Sequence, residues 1–299
     1  MPGVRKQATV PEGAVVAGLI GTAPALVLEL DGCIAVTLPG PPRELQPLWG
    51  EVLGTEPLRR LLARATPPAR HPYRFYGVSE SAVAQALEGA GGDGDGVEVT
   101  ICARESEMHV DVFVAPGAEA RAVALEAAFV ERLAPFLYSR TEEPIEALVL
   151  EACRERGWSA VTAESCTGGL VAARLTSVAG SSDVFLGGIV SYANEVKIAE
   201  LGVPPEVLEA HGAVSAETAA AMARGARSRL GGDVAVSVTG IAGPGGGTPE
   251  KPVGLVHLCA SGPDGELAAD FVVTGDRETV RRRATVAALH LLHALVTKA

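Results

Sequence analysis

Hydrophobic and polar positions along this chain change period several times, and each change marks a predicted element. Near the start, two strand-like runs, Ala25–Leu30 and Cys33–Leu38, flank Asp31-Gly32, a dipeptide suited to a tight hairpin turn. A helix is expected from about Arg43. Pro67-Pro68-Ala-Arg-His-Pro72 then reads as a stiff connector. Beyond it come a helix over 80–88 with Ser79 as its cap, two runs of period two (Val97–Cys102 and Met108–Val114), and a helix over about 118–136. Ile145, Leu148, Val149, Ala152 and Cys153 then form an apolar stripe at helical spacing, opened by Thr141 as N-cap and ended by Gly157. From there strands and helices alternate: strand 159–163, helix 168–178, strand 187–193, helix 194–201, then a helix over 216–230 capped by Ser215. A strand from Val234 enters a glycine loop at 240–247. Strands at 253–258 and 270–274 follow, and Asp276 caps a terminal helix.

This alternation predicts a three-layer α/β/α domain over 141–299. No helix separates its last two strands, so that part of the sheet should be antiparallel and the whole sheet mixed. A small α+β domain is expected over 67–140. Residues 1–66 hold two strands and a helix, a thin core for a free-standing domain.

Composition narrows the function. The chain has 299 residues and 47% hydrophobic residues, ample for a core. It contains no apolar run of about 18 residues and no signal-peptide pattern. The five cysteines lack CxxC spacing and fit a reducing compartment, so a cytoplasmic location is expected. A formal charge of −11 disfavours nucleic acid as a partner. A G-x-x-G within Gly89–Gly96 does not change this, because Asp93 and Asp95 flank it instead of basic residues. The six histidines show no metal-ligand spacing, and neither a metal nor a cofactor is expected. Of 25 basic residues only four are lysine: Lys6, Lys197, Lys251 and Lys298. A lysine kept in an arginine-rich chain draws notice, because lysine can lose its proton when desolvated and arginine cannot.

Candidate chemistry centres on Ala163–Lys197. Ala163-Glu-Ser-Cys-Thr-Gly-Gly169 lies on a strand-to-helix turn, where backbone N–H groups and a helix dipole can hold an anion. Ser165, Thr167, Gly168 and Gly169 are therefore candidate binding residues. Thr239, Gly240, Gly243 and Lys251, in and before the second glycine loop, are candidates for anion contact. That loop matches neither a P-loop nor a dinucleotide fingerprint. A serine needs a base, and Lys197 beside Val196, Ile198 and Ala199 could serve if burial lowers its pKa. The competing reading is a surface lysine paired with Glu195 or Glu200. Ser165, Cys166 and Ser182 all remain candidates for attack by position. Ser182 is preferred, because the loop Gly180-Ser-Ser-Asp183 could bring it within reach of Lys197.

The motifs Ala163–Gly169, Ala179-Gly-Ser-Ser182, Val190–Lys197, Gly212–Ser215, Ser237–Pro244, Lys251–Gly254 and Gly275–Arg281, in this order, closely resemble the C-terminal domain of the competence/damage-inducible protein A (CinA) family. The resemblance implies a nicotinamide-nucleotide amidase, which hydrolyses nicotinamide mononucleotide (NMN) to nicotinate mononucleotide and ammonia in pyridine-nucleotide salvage. It also implies a Ser/Lys mechanism, with Ser182 as nucleophile, Lys197 as base, Tyr192 assisting, and a homodimer. Residues 73–138 resemble the family's KH-like middle domain. Lys6-Gln-Ala, Gly21–Pro24 and Leu38–Glu44 resemble the end of its molybdopterin-binding-like N-terminal domain. The nucleotide-binding half of that domain has no counterpart in this sequence, which disfavours an ADP-ribose-type pyrophosphatase. A non-catalytic nucleotide- or partner-binding protein is the other alternative.

Overall fold

The computed structural model describes residues 9–298, so Lys6-Gln-Ala lies outside the described residues. The chain divides into two compact units. One comprises the residues up to Ala69 with Ala115–Gly117, and the other Arg70–Val114 with Ala118 onward. The sequence boundary at 66/67 falls close to that division. The boundary at 140/141 falls within the larger unit, between two separate sheets.

In the smaller unit, β1 (Val15–Leu19), β2 (Pro24–Leu30) and β3 (Cys33–Thr37) form an antiparallel sheet in that order. Leu30 pairs with Cys33 across Asp31-Gly32, the expected hairpin turn. Helices α1 (Pro42–Leu53) and α2 (Glu56–Leu62) complete a small core of Ala25, Val27, Leu48, Val52 and Leu58.

The larger unit begins with β4 (Ala69–Tyr76), α3 (Glu80–Gly89), β5 (Val97–Arg104), β6 (Glu107–Val114), α4 (Glu119–Leu133) and β7 (Leu137–Ser139). The sheet order is β5-β6-β4-β7. Ser79 caps α3 by accepting from the Ala82 N–H. The second half of the proline-rich connector is strand β4, a correction to the sequence reading. Pro72 masks the strand in the pattern. Tyr73 and Phe75 place it in the core, where both meet Phe129 edge-on with centroids 5.0 and 6.2 Å apart.

The remaining elements are α5 (Ile145–Arg156), β8 (Ala160–Glu164), α6 (Leu170–Thr176), β9 (Phe185–Val190), α7 (Asn194–Leu201), α8 (Pro205–His211), α9 (Ala216–Leu230), β10 (Val234–Gly240), β11 (Leu255–Gly262), β12 (Gly265–Val272) and α10 (Arg277–Thr297). Their sheet runs β12-β11-β10-β8-β9 and is mixed. The pairs β10–β8 and β8–β9 are parallel, whereas β10–β11 and β11–β12 are antiparallel. Side chains alternate between two cores. Val234, Val236 and Val238 meet Ile145, Val149, Leu289 and Leu292 on one face. Val161, Ala163 and Ala235 meet Leu201, Ala219, Met222 and Ala226 on the other. The sheet is thus sandwiched between α5, α6 and α10 on one side and α7 and α9 on the other.

Local chemistry sets many of the helix ends. Ser215 accepts from the Thr218 N–H and Asp276 from the Thr279 N–H. Gly157 ends α5 at φ 65°, in the left-handed region. Thr141 does not cap α5: the helix starts at Ile145, Pro144 stands at its N-cap, and no side chain bonds there. Proline fixes the residue before the helix in extended backbone, which moves the start past Thr141. The two sheets of this unit meet at α10. His290 stacks on Tyr76 with centroids 3.8 Å apart, and its Nε2 lies 2.8 Å from the Glu107 carboxylate. Burial pushes the Glu107 carboxyl up, but hydrogen bonds from His109, His290 and Tyr138 outweigh it and hold it at about 2. No described helix is long and apolar enough to cross a membrane.

Helix α9 lies against α7 through Gly225, where an added Cβ would overlap the Leu201 carbonyl. Gly225→Ala should therefore cost about 2 kcal/mol through overpacking. A thermal melt followed by circular dichroism should show a midpoint about 4–8 °C lower, and an unchanged midpoint would show that the two helices separate freely.

Candidate active site

The three parallel strands end at one edge of the sheet. Ser165 follows β8 directly, and its N–H donates to the Val238 carbonyl of β10 at 2.9 Å. Ser191 follows β9, and its N–H donates to the Glu164 carbonyl at 2.8 Å. The chain then turns into α7, whose first turn carries Lys197 back under this edge. Lys197 is only 1% exposed, unlike the surface lysine that was its competing reading. Its Nζ lies 2.6 Å from the Ser191 carbonyl, 3.3 Å from the Tyr192 carbonyl and 3.2 Å from Ser165 Oγ. No carboxylate pairs with it among the described residues. Burial pushes its pKa below the ordinary lysine value, and only the Cys166 thiol opposes this by charge.

The turn after Ser165 is held from beneath. The Glu164 carboxylate accepts from the N–H groups of Gly169, Val171 and Ala172 at 2.9, 3.1 and 2.9 Å. Gly168 and Gly169 both stand in the left-handed region, at φ 62° and 100°, which a side chain would resist. The sequence reading offered the N–H groups of this helix to a substrate anion, but Glu164 already occupies them. The carboxylate fixes the serine turn and takes up three of these N–H groups.

The structure brings Ser165 and Lys197 together and does not bring Ser182. That residue is exposed in the turn Ser181–Asp183, before β9, whereas Lys197 comes after β9. Since β9 runs parallel to β8, Ser182 stands at the opposite end of the strands, about six residues or 20 Å away along β9. Tyr192 is 61% exposed at the rim, and its hydroxyl accepts from Arg277 at 2.9 Å. Thr239 Oγ1 donates to the Ala213 carbonyl at 2.6 Å. Lys251 Nζ donates to the carbonyls of His211 and Val214 at 2.6 and 2.7 Å. Both residues thus fasten the 211–214 turn, and each spends hydrogen bonds on backbone carbonyls there. Gly240 lies against Cys166 Sγ and the Leu255 carbonyl, and Gly243 accepts from Arg277 through its carbonyl. Thr167 Oγ1 and Ser191 Oγ are buried without a hydrogen-bond partner among the described residues, one in each segment that holds the pair.

Two arginines at this edge were not anticipated. Arg277 links Tyr192 to Gly243 across the rim, and Arg281 donates to the carbonyls of Cys166 and Thr167 at 3.2 and 2.9 Å. The signal was present in the sequence. Cations in the first two turns of a helix oppose its dipole, and such a cost points to another duty. Cys166 is a poor nucleophile, because burial pushes its thiol up to about 11. No group of three or more His, Cys, Asp or Glu able to hold a metal occurs among the described residues.

A mixed-sheet α/β/α domain with a buried serine–lysine pair at the ends of its parallel strands is the class these features define. Residues 142–296 match the family model described as the CinA C-terminal domain. The CinA-like protein of Mycolicibacterium paratuberculosis is 43% identical over 303 residues, covering 99% of this chain and 69% of that protein. The CinA-like protein of Mycobacterium tuberculosis is 42% identical over 292 residues, covering 96% and 67%. Among solved structures, the competence/damage-inducible protein CihA from Agrobacterium tumefaciens is 45% identical, covers 53% of this chain and 99% of its own, and has a TM-score of 0.49. The chain belongs to the CinA family.

Replacing Glu164 by Ala strands three N–H groups at the start of α6 and should cost about 3 kcal/mol, as for charged hydrogen bonds lost together. Urea unfolding should show the midpoint shift, and a variant as stable as the wild type would remove the carboxylate from this role. Iodoacetamide at neutral pH should leave Cys166 largely unmodified in the folded protein, as read by peptide mass spectrometry; rapid labelling would contradict its burial and raised pKa.

Proposed function

We propose that the C-terminal domain is a nicotinamide-nucleotide amidohydrolase that converts NMN to nicotinate mononucleotide and ammonia, with Ser165 as nucleophile and Lys197 as base. One observation carries the assignment: the buried Lys197 Nζ lies 3.2 Å from Ser165 Oγ, with the Ser191 and Tyr192 carbonyls at 2.6 and 3.3 Å. Burial favours loss of its proton, and a neutral amine whose two N–H groups meet those carbonyls turns its lone pair to Ser165. In that state the serine donates and the lysine accepts, which is the arrangement a general base requires. The choice of substrate rests on membership of the CinA family, and the choice of serine rests on geometry.

The steps follow from these groups. Lys197 takes the Ser165 proton as Oγ attacks the amide carbon, giving a tetrahedral oxyanion. The ammonium so formed returns that proton to the leaving nitrogen, and ammonia departs from an acyl-serine ester. Water then attacks the ester while Lys197 takes its proton, and Ser165 is restored with release of the carboxylate. Arg277, at the rim with Tyr192, is the cation placed to meet the substrate phosphate. Arg277 thus joins Thr239, Gly240, Gly243 and Lys251, the residues named from sequence for anion contact.

Ammonia release from NMN by the full chain tests the activity. Ser165→Ala should lower kcat at least about a thousandfold, as removal of a nucleophile does. Ser182→Ala should stay within about threefold, as a surface change does. A dead Ser182→Ala with an active Ser165→Ala would reverse the two assignments. Because burial lowers the Lys197 pKa, the free enzyme gains its base as pH rises through that lowered value, so kcat/KM should climb from mildly acidic pH to a plateau. Lys197→Arg should be as damaging as Lys197→Ala, since arginine stays protonated. A flat pH profile, or an active arginine variant, would exclude the lysine as base.

A further inference from the structure

A cavity of about 620 Å³ opens away from the serine–lysine pair, between α6, the first three turns of α10 and the β5–β6 turn. All three elements belong to the larger unit. Leu170, Ala173 and Val286 supply apolar wall, and Arg282 and Arg283 supply two guanidinium groups. Neither arginine makes a hydrogen bond or ion pair with another described residue. Their neighbours are spent: Arg174 is bound by Glu105 and Glu146, and Arg281 by backbone carbonyls. Arg282 acts on the Asp276 carboxylate without bonding to it, and Glu278 lines the same cavity, but two adjacent cations near a helix N-terminus still repel each other and oppose the dipole. In a chain of net charge −11 they form a local positive spot that a bound anion would relieve.

The third wall carries an independent oddity. Arg104 pairs with Glu107 across a two-residue turn in which Glu105 and Ser106 stand at φ 49° and 74°. Such turns favour Asn and Gly, and two other residues in the left-handed region cost about 1 kcal/mol or more each. Both strained residues line the cavity.

We propose that this cavity is a second ligand site, for a phosphomonoester with a flat, weakly polar body, of which a nucleoside monophosphate is the fitting class. Arg282 and Arg283 hold the phosphate by paired charge-assisted hydrogen bonds. Leu170, Ala173 and Val286 meet the body, and the volume lies within the range of small-molecule sites, about 300–1,000 Å³. The site takes part in no step proposed for Ser165, and its existence does not depend on that activity.

Isothermal titration of the full chain with AMP tests this. The wild type should bind AMP with a Kd below about 1 mM, and adenosine and inorganic phosphate should each bind at least about tenfold more weakly, since each lacks one half of the recognition. The double variant Arg282→Ala/Arg283→Ala should lose at least about tenfold in affinity while melting at the wild-type temperature. Ala173→Trp, which fills the cavity with both arginines in place, should lose AMP as well. Ser165→Ala should bind AMP as the wild type does. The proposal fails if AMP does not bind at millimolar concentration or if the double variant binds it unchanged. It also fails if Ser165→Ala loses it, because the nucleotide then sits at the catalytic pair, or if inorganic phosphate binds as tightly as AMP.

Discussion

A lysine amine buried without a counter-ion is the constraint around which this domain is arranged. Taking an ammonium group out of water costs several kcal/mol unless a carboxylate repays it. Lys197 has carbonyls and one serine hydroxyl instead. Burial without a carboxylate partner among the described residues pushes its pKa down, against the partial compensation that these acceptors give an ammonium. The sheet makes the arrangement possible. Parallel β8 and β9 end side by side, so residues that follow them meet, and α7 returns the lysine beneath them. Glu164 fixes the serine turn by taking up the free N–H groups of α6. Glu164, next to Ser165 in the chain, is thereby directed at a helix and not at the amine.

Local chemistry made much of this legible from sequence. Ser79, Ser215 and Asp276 cap the helices expected of them, because capping needs only residues within one turn. The alternation from 159 onward gave the layered domain, and the missing helix before the last strand gave its antiparallel edge. The importance of Lys197 was readable from the scarcity of lysine and its apolar neighbours. Ser182 shows where such reading stops. Its distance from Lys197 depends on which end of a strand each flanks, and sequence spacing treats the two ends alike. Strand β4 was hidden by Pro72, since its burial is decided by partners far along the chain. Arg277 and Arg281 reach the site only because α10 packs against α6 and the glycine loop. Their place in the first two turns of a helix was the available hint.

The α+β portion is joined to the CinA C-terminal domain through defined contacts. His290 of α10 is clasped between Tyr76, Tyr138 and Glu107. Arg174 of α6 is held between Glu146 of its own domain and Glu105 of the β5–β6 turn. The first two turns of these helices also shape the serine edge. The β5–β6 turn and the adjacent Arg282 and Arg283 lie where these parts meet.

The central claim is that Lys197 is neutral near physiological pH. With four lysines in the chain, a protein labelled at lysine Cε gives few signals, and Lys197→Arg identifies the one that matters. A pH titration followed by NMR should show that signal changing well below the ordinary lysine value of about 10.4. A Lys197 signal that titrates at or above that value would mean the amine is charged in the resting protein, and the serine would then have no base.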